Sequence, residues 1–264
     1  MIHAFAPVSQ GYLYYEIDGK GPWLVFIHGA WTNHEWWRWI IPEFSDRFST
    51  LCFDLRGHGK SSKLQGPYSV KGFANDLNEL LSYHNIDDCV LLGWSLGGLV
   101  AMQYCIDFPQ KIKAQVLIST RSKKDTMMKL EILLFKLLTQ VHLLSFRNEL
   151  RKRFQNMFRQ ETPADIVDWA TRQLLLTSRE DFFRIAESYL DWSLCKNLSA
   201  IKIPSLVISG KRDGLIPTKF SEQMCRELPC AKLIIMQDCN HTIILDRPTD
   251  VCKVVQEFFS KIEF

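Results

Sequence analysis

A serine flanked by small residues lies in the segment Gly93-Trp94-Ser95-Leu96-Gly97-Gly98. The apolar run Cys89–Leu92 precedes it and the helical stretch Leu99–Phe108 follows, so the serine falls on a turn between a strand and a helix. A side chain at that turn needs a strained backbone to point its hydroxyl outwards, and glycines on either side remove atoms that would collide. The chemistry suggested is nucleophilic attack by Ser95; the alternative is a plain glycine-rich turn. A serine hydroxyl is a poor nucleophile without a neighbouring base. His241, in Asp238-Cys239-Asn240-His241-Thr242 beyond the last apolar run, is the candidate base, with a surface-loop histidine as the other reading. His3, His34 and His84, upstream of Ser95, and His142, in a helical interval, lack such a context.

A base of this kind needs a carboxylate to hold its tautomer and stabilise the imidazolium. Asp213, in Gly210-Lys211-Arg212-Asp213-Gly214 directly after the apolar run 205–209, is placed to do so, although Asp-Gly is also a favoured turn pair. Asp238 competes, but three residues before His241 on one short loop it is poorly placed to accept from the ring. Acyl transfer also requires donors for an oxyanion. The backbone N–H of Leu96 is one, and Ala30 in His28-Gly29-Ala30-Trp31 is expected to supply the second, with Trp31 as substitute. His28, Asp54, Arg56 and His58 are expected to order their loops and not to react.

The elements that must carry these residues alternate between short apolar runs and amphipathic stretches, the pattern of a mostly parallel sheet covered by helices on both faces. Residues 11–17 alternate and are expected to form an antiparallel edge strand. Buried strands are expected at 23–27, 50–54, 89–93, 114–119, 205–209 and 232–236, and helices at about 34–46, 70–84, 96–108, 218–228 and 248–261. Between Ser119 and Pro204 the periodicity is helical throughout. That interval is expected to be an inserted cap, 120–204, between the two parts of an α/β core, 1–119 and 205–264.

The chain has 264 residues, of which 47% are hydrophobic and 23% charged, the range of one large globular domain. A net charge of +3 is too small to point to nucleic acid. The first residues, MIHAFAPVSQ, lack the basic and apolar regions of a secretory signal. The apolar stretch Met127–Phe146 is interrupted by Lys129, Glu131 and Lys136, so it reads as a buried or ligand-facing helix and not as a membrane span. Eight cysteines, Cys195 among them, form no C-x-x-C pair or zinc-like spacing; no metal or cofactor is expected, and a reducing, cytoplasmic setting is. From Arg121 to Arg159 ten basic residues face three acidic ones, a local charge of +7 that leaves −4 for the remainder of the chain. Arg147 and Arg151, four apart, would share a helix face.

Taken together, HGAW, FDLRGHGKS, GWSLGG, GKRDGLIP and CNHTIILDRP follow one another as in an α/β-hydrolase, which the chain resembles over nearly its whole length. Serine in the turn argues against the dehalogenases and epoxide hydrolases of that fold, which use aspartate there. The absence of Gly-Pro-Gly after His28-Gly29 argues against its carbon–carbon bond hydrolases. LLGWSLGGLVA and DGLIP are similar to the esterases that demethylate pimeloyl-[acyl-carrier protein] in biotin synthesis, whereas Ala30 stands where those have tryptophan. The resemblance implies a metal-free carboxylesterase acting through an acyl-enzyme; a thioesterase, enol-lactonase, lyase or non-enzymatic ligand receptor of the same fold is the alternative. It further implies that Arg147, Arg151, Arg153 and Arg159 can meet an acidic acyl-carrier protein, the other reading being a solvated face. Leu130, Leu133, Leu134, Leu137 and Leu138 are expected either to line an acyl pocket or simply to pack.

Overall fold

Runs such as Trp23–Ile27 and Cys89–Trp94 lack the polar alternation of a half-exposed strand, so both of their faces must be covered. The computed structural model, which describes residues 1–63, 66–194 and 197–263, places them centrally in an eight-stranded sheet. In chain order the strands are β1 (Ile2–Val8), β2 (Gly11–Asp18), β3 (Trp23–Ile27), β4 (Ser49–Phe53), β5 (Cys89–Trp94), β6 (Ile112–Ile118), β7 (Ser205–Gly210) and β8 (Ala231–Met236). Their spatial order is β1-β2-β4-β3-β5-β6-β7-β8, antiparallel for the pairs β1–β2 and β2–β4 and parallel from there on.

Alternate residues of these strands feed two cores. Val25, Ile27, Leu51 and Leu91 join one with α1 (Val70–Tyr83) and α2 (Leu96–Asp107). Leu24, Phe26, Val90 and Leu92 join the other with α8 (Ile243–Asp246) and α9 (Pro248–Phe259). Among the described residues, four α-helices separate β6 from β7: α3 (Thr126–Gln140), α4 (Phe146–Gln155), α5 (Ala164–Leu174) and α6 (Arg179–Leu190). No strand interrupts them among the described residues. The Asp125 carboxylate caps α3 by accepting from the N–H groups of Met127 and Met128, and Ser178 caps α6 through Asp181 N–H. After β7, α7 (Thr218–Glu227) leads back to β8.

Three expectations need correction. The strand at 11–17 is not the edge, because β1 pairs with it along its length; Pro7, which has no N–H to give, is tolerated where only one neighbour exists. The helix expected at 34–46 is two short 3₁₀ turns, His34–Trp37 and Ile41–Glu43, since Pro42 cannot extend a helix through Ile41. Leu130, Leu133, Leu134 and Leu137 do not line the cavity at Ser95: they are 45–56% exposed, while Met128, Ile132 and Phe135 form the inward stripe of α3. With leucine on nearly every side of the helix, apolar period alone does not say which stripe turns inward.

No helix of the described residues is long and apolar enough to cross a membrane. Seven cysteines are unpaired, and Cys195 lies outside the described residues.

Candidate active site

Ser95 sits between β5 and α2 with φ 53° and ψ −116°, a conformation that costs a non-glycine residue on the order of 1–3 kcal/mol. The turn is tight enough that a Cβ on Gly97 would lie 2.0 Å from the carbonyl oxygen of Ile27. Thr120 Oγ1 donates to the Ser95 carbonyl at 2.7 Å, and the Ser95 N–H reaches the carbonyl of Ile118, so β6 braces the strained residue.

The structure brings the three distant residues together. Ser95 Oγ is 3.1 Å from His241 Nε2, and His241 Nδ1 is 2.8 Å from Asp213 Oδ2. The other carboxylate oxygen of Asp213 accepts from the N–H groups of Leu215 and Ile216 at 2.9 and 2.8 Å. An ionised carboxylate can only accept, so Nδ1 carries the proton and Nε2 is left to take one from serine. Gly210 permits this approach: a Cβ there would stand 2.4 Å from the Cys239 carbonyl on the histidine loop. Asp238, the rival acid, points away into an exposed ion pair with Arg212 at 3.1 Å.

His241 is held from several sides. Its carbonyl accepts from Trp94 Nε1 at 3.0 Å. On one flank Asn240 Nδ2 donates to the Phe158 carbonyl at 2.7 Å. On the other, Thr242 Oγ1 contacts the Met157 carbonyl at 2.9 Å and Asp246 Oδ2 at 3.1 Å, while Thr162 Oγ1 donates to Asp246 Oδ1 at 2.7 Å. Burial pushes the Asp246 carboxyl up to about 6, against the hydrogen bonds from Thr162 and Thr242. Trp94, Asn240, Thr242 and Asp246 were not expected to matter from the sequence; Trp94 and Asn240 stand beside the predicted residues, but their partners are far along the chain.

Ala30, Trp31 and Leu96 line the same cavity as Ser95 and His241, a space of about 320 Å³. As the first residue of α2, Leu96 presents an N–H that has no acceptor within the helix. Trp31 has φ 62° and turns its indole to α6, stacking on Phe182 at 4.1 Å and donating Nε1–H to the Phe182 carbonyl at 3.0 Å. From α3, α4 and α6 the cavity receives Met128, Ile132, Phe135, Leu150, Phe154 and Phe182, so most of its wall is apolar.

The loops expected to be structural are tightly bonded. His28 Nε2 accepts from Leu55 N–H at 2.9 Å, and burial, with His58 adding to it, pushes the ring down to about 3, so it is neutral at pH 7. Asp54 accepts from His34 and from Lys60 N–H, and Arg56 pairs with Asp76.

Of the four arginines expected at a partner face, Arg147 and Arg151 are exposed and pair with no carboxylate among the described residues. Arg153 is held by Glu149 at 2.8 Å over the Phe135 ring and borders the cavity. Arg159, 14% exposed at its side chain, pairs with Glu161. Lys123, Lys129 and Lys136 meet Glu227, Asp191 and Glu187, acids outside the interval 121–159, so much of its +7 is locally balanced.

The alpha/beta hydrolase fold family matches residues 22–190. The chain is an α/β-hydrolase. Among its relatives is the pimeloyl-[acyl-carrier protein] methyl ester esterase of Wigglesworthia glossinidia brevipalpis, 29% identical over 265 residues, covering 94% of this chain and 98% of that one. The 3-oxoadipate enol-lactonase 2 of Acinetobacter baylyi is 26% identical, covering 86% of this hydrolase and 84% of that enzyme. The crystal structure of a hydrolase from Pseudomonas aeruginosa PA01 superposes with a TM-score of 0.87 at 25% identity over 97% and 98% of the two chains.

Proposed function

We propose that this α/β-hydrolase cleaves a carboxylic ester through an acyl-enzyme on Ser95, with His241 as base, Asp213 as the acid that orients it, and 120–204 as a cap over the cavity. The observation that carries this reading is the chain of contacts from Ser95 Oγ through His241 to Asp213, opening on a largely apolar cavity. His241 Nε2 takes the hydroxyl proton as Oγ bonds to the ester carbonyl carbon. The N–H groups of Leu96 and Ala30 hold the oxygen that becomes negative. The imidazolium then returns the proton to the departing alcohol oxygen, and water repeats both steps on the acyl-enzyme. A series of p-nitrophenyl esters of rising chain length tests this: a burst of p-nitrophenol equal to the enzyme, absent in Ser95→Ala, is expected. No turnover of any ester would remove the reading in favour of a ligand receptor.

A second reading, an ester linked to an acidic carrier protein, is favoured by Arg147 and Arg151 on α4, which pair with no carboxylate among the described residues, and by the esterase relative. Steering by such charges acts mainly on association rate and fades as the Debye length falls from about 10 Å at 0.1 M salt to about 3 Å at 1 M. Replacing both arginines with glutamate should raise the KM for a carrier-linked ester relative to a small neutral one. An identical response of the two substrates would leave the face as ordinary solvated surface.

A further inference from the structure

The exit of β6 carries polar groups that the chemistry at Ser95 does not use. Ser119 stands there with φ 46°, fully buried, and its Oγ has no hydrogen-bond partner among the described residues. Two residues on, Arg121 is only 2% exposed. Its guanidinium donates to the carbonyls of Lys123 and Tyr189, the latter at 3.2 Å, and meets no carboxylate among the described residues. Asp125, whose charge it feels, is engaged at the cap of α3. Burial pushes the Arg121 pKa down, with Tyr189 and Asp125 acting against that shift.

A buried cation without a counter-charge is costly, and a guanidinium has five N–H donors, of which the two carbonyls occupy only part. Ser119, Arg121 and Tyr189 border the cavity that holds Ser95 and His241. An anion entering the cavity would therefore find a buried charged fork beside the Ser119 hydroxyl; the other charged groups on the wall are Glu131 and Arg153, the latter already held by Glu149. One guanidinium balances one negative charge, which suits a planar carboxylate that it can bind with two parallel hydrogen bonds.

We propose that Ser119 and Arg121 form a subsite for a carboxylate on the substrate, so that the favoured ester is that of a dicarboxylic acid, or a lactone bearing a free carboxylate. This rests on the esterase reading above, and it favours a small free acid over a carrier-linked chain, whose acyl end has no such group. The competing role for Arg121 is a strut that ties the end of β6 to α6 through the Tyr189 carbonyl.

The test compares mono-p-nitrophenyl esters of adipic and suberic acid with the same esters of the corresponding monoamides. The quantity read is the ratio of kcat/KM, charged to neutral, so that losses common to both substrates cancel. A ratio of about ten or more is expected in the wild type for at least one chain length, equivalent to about 1.4 kcal/mol. It should fall to about one in Arg121→Met, remain intermediate in Arg121→Lys and fall severalfold in Ser119→Ala. A wild-type ratio near one, or a ratio that survives Arg121→Met, overturns the subsite while leaving the hydrolase reading intact. If the wild type cleaves neither ester, the hydrolase reading fails and the subsite is judged by titration calorimetry with adipate. Binding that is weakened at least tenfold in Arg121→Met supports it, and equal binding overturns it. Should Arg121→Met not fold, Arg121→Lys and Ser119→Ala are read by the same two criteria.

Discussion

Replacing Asp213 with asparagine exchanges one carboxylate oxygen for an NH₂ group and leaves the shape of the side chain, so its effect can be worked out from the bonds it makes. The N–H groups of Leu215 and Ile216 both donate to Oδ1, which forces the asparagine carbonyl oxygen to that side and turns its NH₂ towards His241. Donor then faces donor across the 2.8 Å contact with Nδ1. The ring relieves this by carrying its proton on Nε2, where it can no longer accept from Ser95. Restoring the productive tautomer forfeits a charge-assisted hydrogen bond, about 1.5–3 kcal/mol. The imidazolium formed during attack also loses a carboxylate at close range, about 4 kcal/mol at 4 Å with an effective dielectric of 20. Allowing for overlap, about 4–6 kcal/mol is lost, roughly 10³–10⁴-fold in rate. The assay is kcat/KM for p-nitrophenyl butyrate between pH 6 and 9, with thermal unfolding to show that the variant is folded. Asp238→Asn is the control: it breaks only the exposed pair with Arg212, worth about 0–1 kcal/mol, and should stay within about twofold of wild type. An Asp213→Asn enzyme within tenfold of wild type, or an equal loss in Asp238→Asn, would refute the reasoning.

Other outcomes follow from the same contacts. Ser95→Ala should lower kcat by about 10³-fold or more in a folded protein, and undiminished turnover would remove Ser95 as the nucleophile. Phe135→Ala should cost about 3–5 kcal/mol in urea denaturation because the ring is buried among Phe146, Phe182 and Phe183, whereas exposed Leu134→Gln should stay within about 0.5 kcal/mol; similar losses would mean that α3 presents a different stripe. Asp246, raised to about 6 from 3.8, binds its proton more tightly when folded, so its contribution is fully present below pH 3.8 and lost as pH rises towards 6. Thr242 has one hydroxyl proton for two acceptors, and a protonated Asp246 can supply the second; asparagine supplies it at every pH. Asp246→Asn should therefore gain about 2 kcal/mol at pH 7.5 over its effect at pH 4.5, and an effect independent of pH would contradict this account.

The parts of the molecule legible in the sequence are those fixed by neighbours along the chain. β3, β5 and α2 announce themselves by unbroken apolar runs and by glycine placement, and Ser95, Asp213 and His241 each follow a strand, Ser95 directly and the other two within a short loop, where the ends of a parallel sheet converge. What was not legible depends on partners far away. The stripe of α3 that turns inward is chosen by Phe182 and Phe183 of α6, some fifty residues on. Arg121 counts as one of ten basic residues until the fold buries it against Tyr189. β1 has no clear signal in the sequence, because its exposed edge carries little apolar alternation and includes a proline. The Asn240, Thr242 and Asp246 contacts span 82–85 residues and have no local signature.

Those last contacts also set the mechanics of access to the cavity. Residues 157–162 are riveted to the loop that carries His241 by three side-chain hydrogen bonds, so that end of the helical insertion behaves as a pivot. At the far side, the insertion meets the core through several contacts: Trp31 stacks on Phe182 and donates its indole N–H to that residue's carbonyl, Asn33 Nδ2 donates to Gln173 Oε1 at 3.1 Å, Trp192 donates to Gln103, and Lys63 pairs with Asp181 at 3.6 Å. A swing that widened the mouth there would have to part those contacts together, while the three bonds at 157–162 hold the histidine loop in place. Under the proposed chemistry, entry and proton transfer would rest on separate joints: loosening the contacts near Trp31 would change how fast a substrate arrives, and loosening those at 157–162 would disarm the histidine.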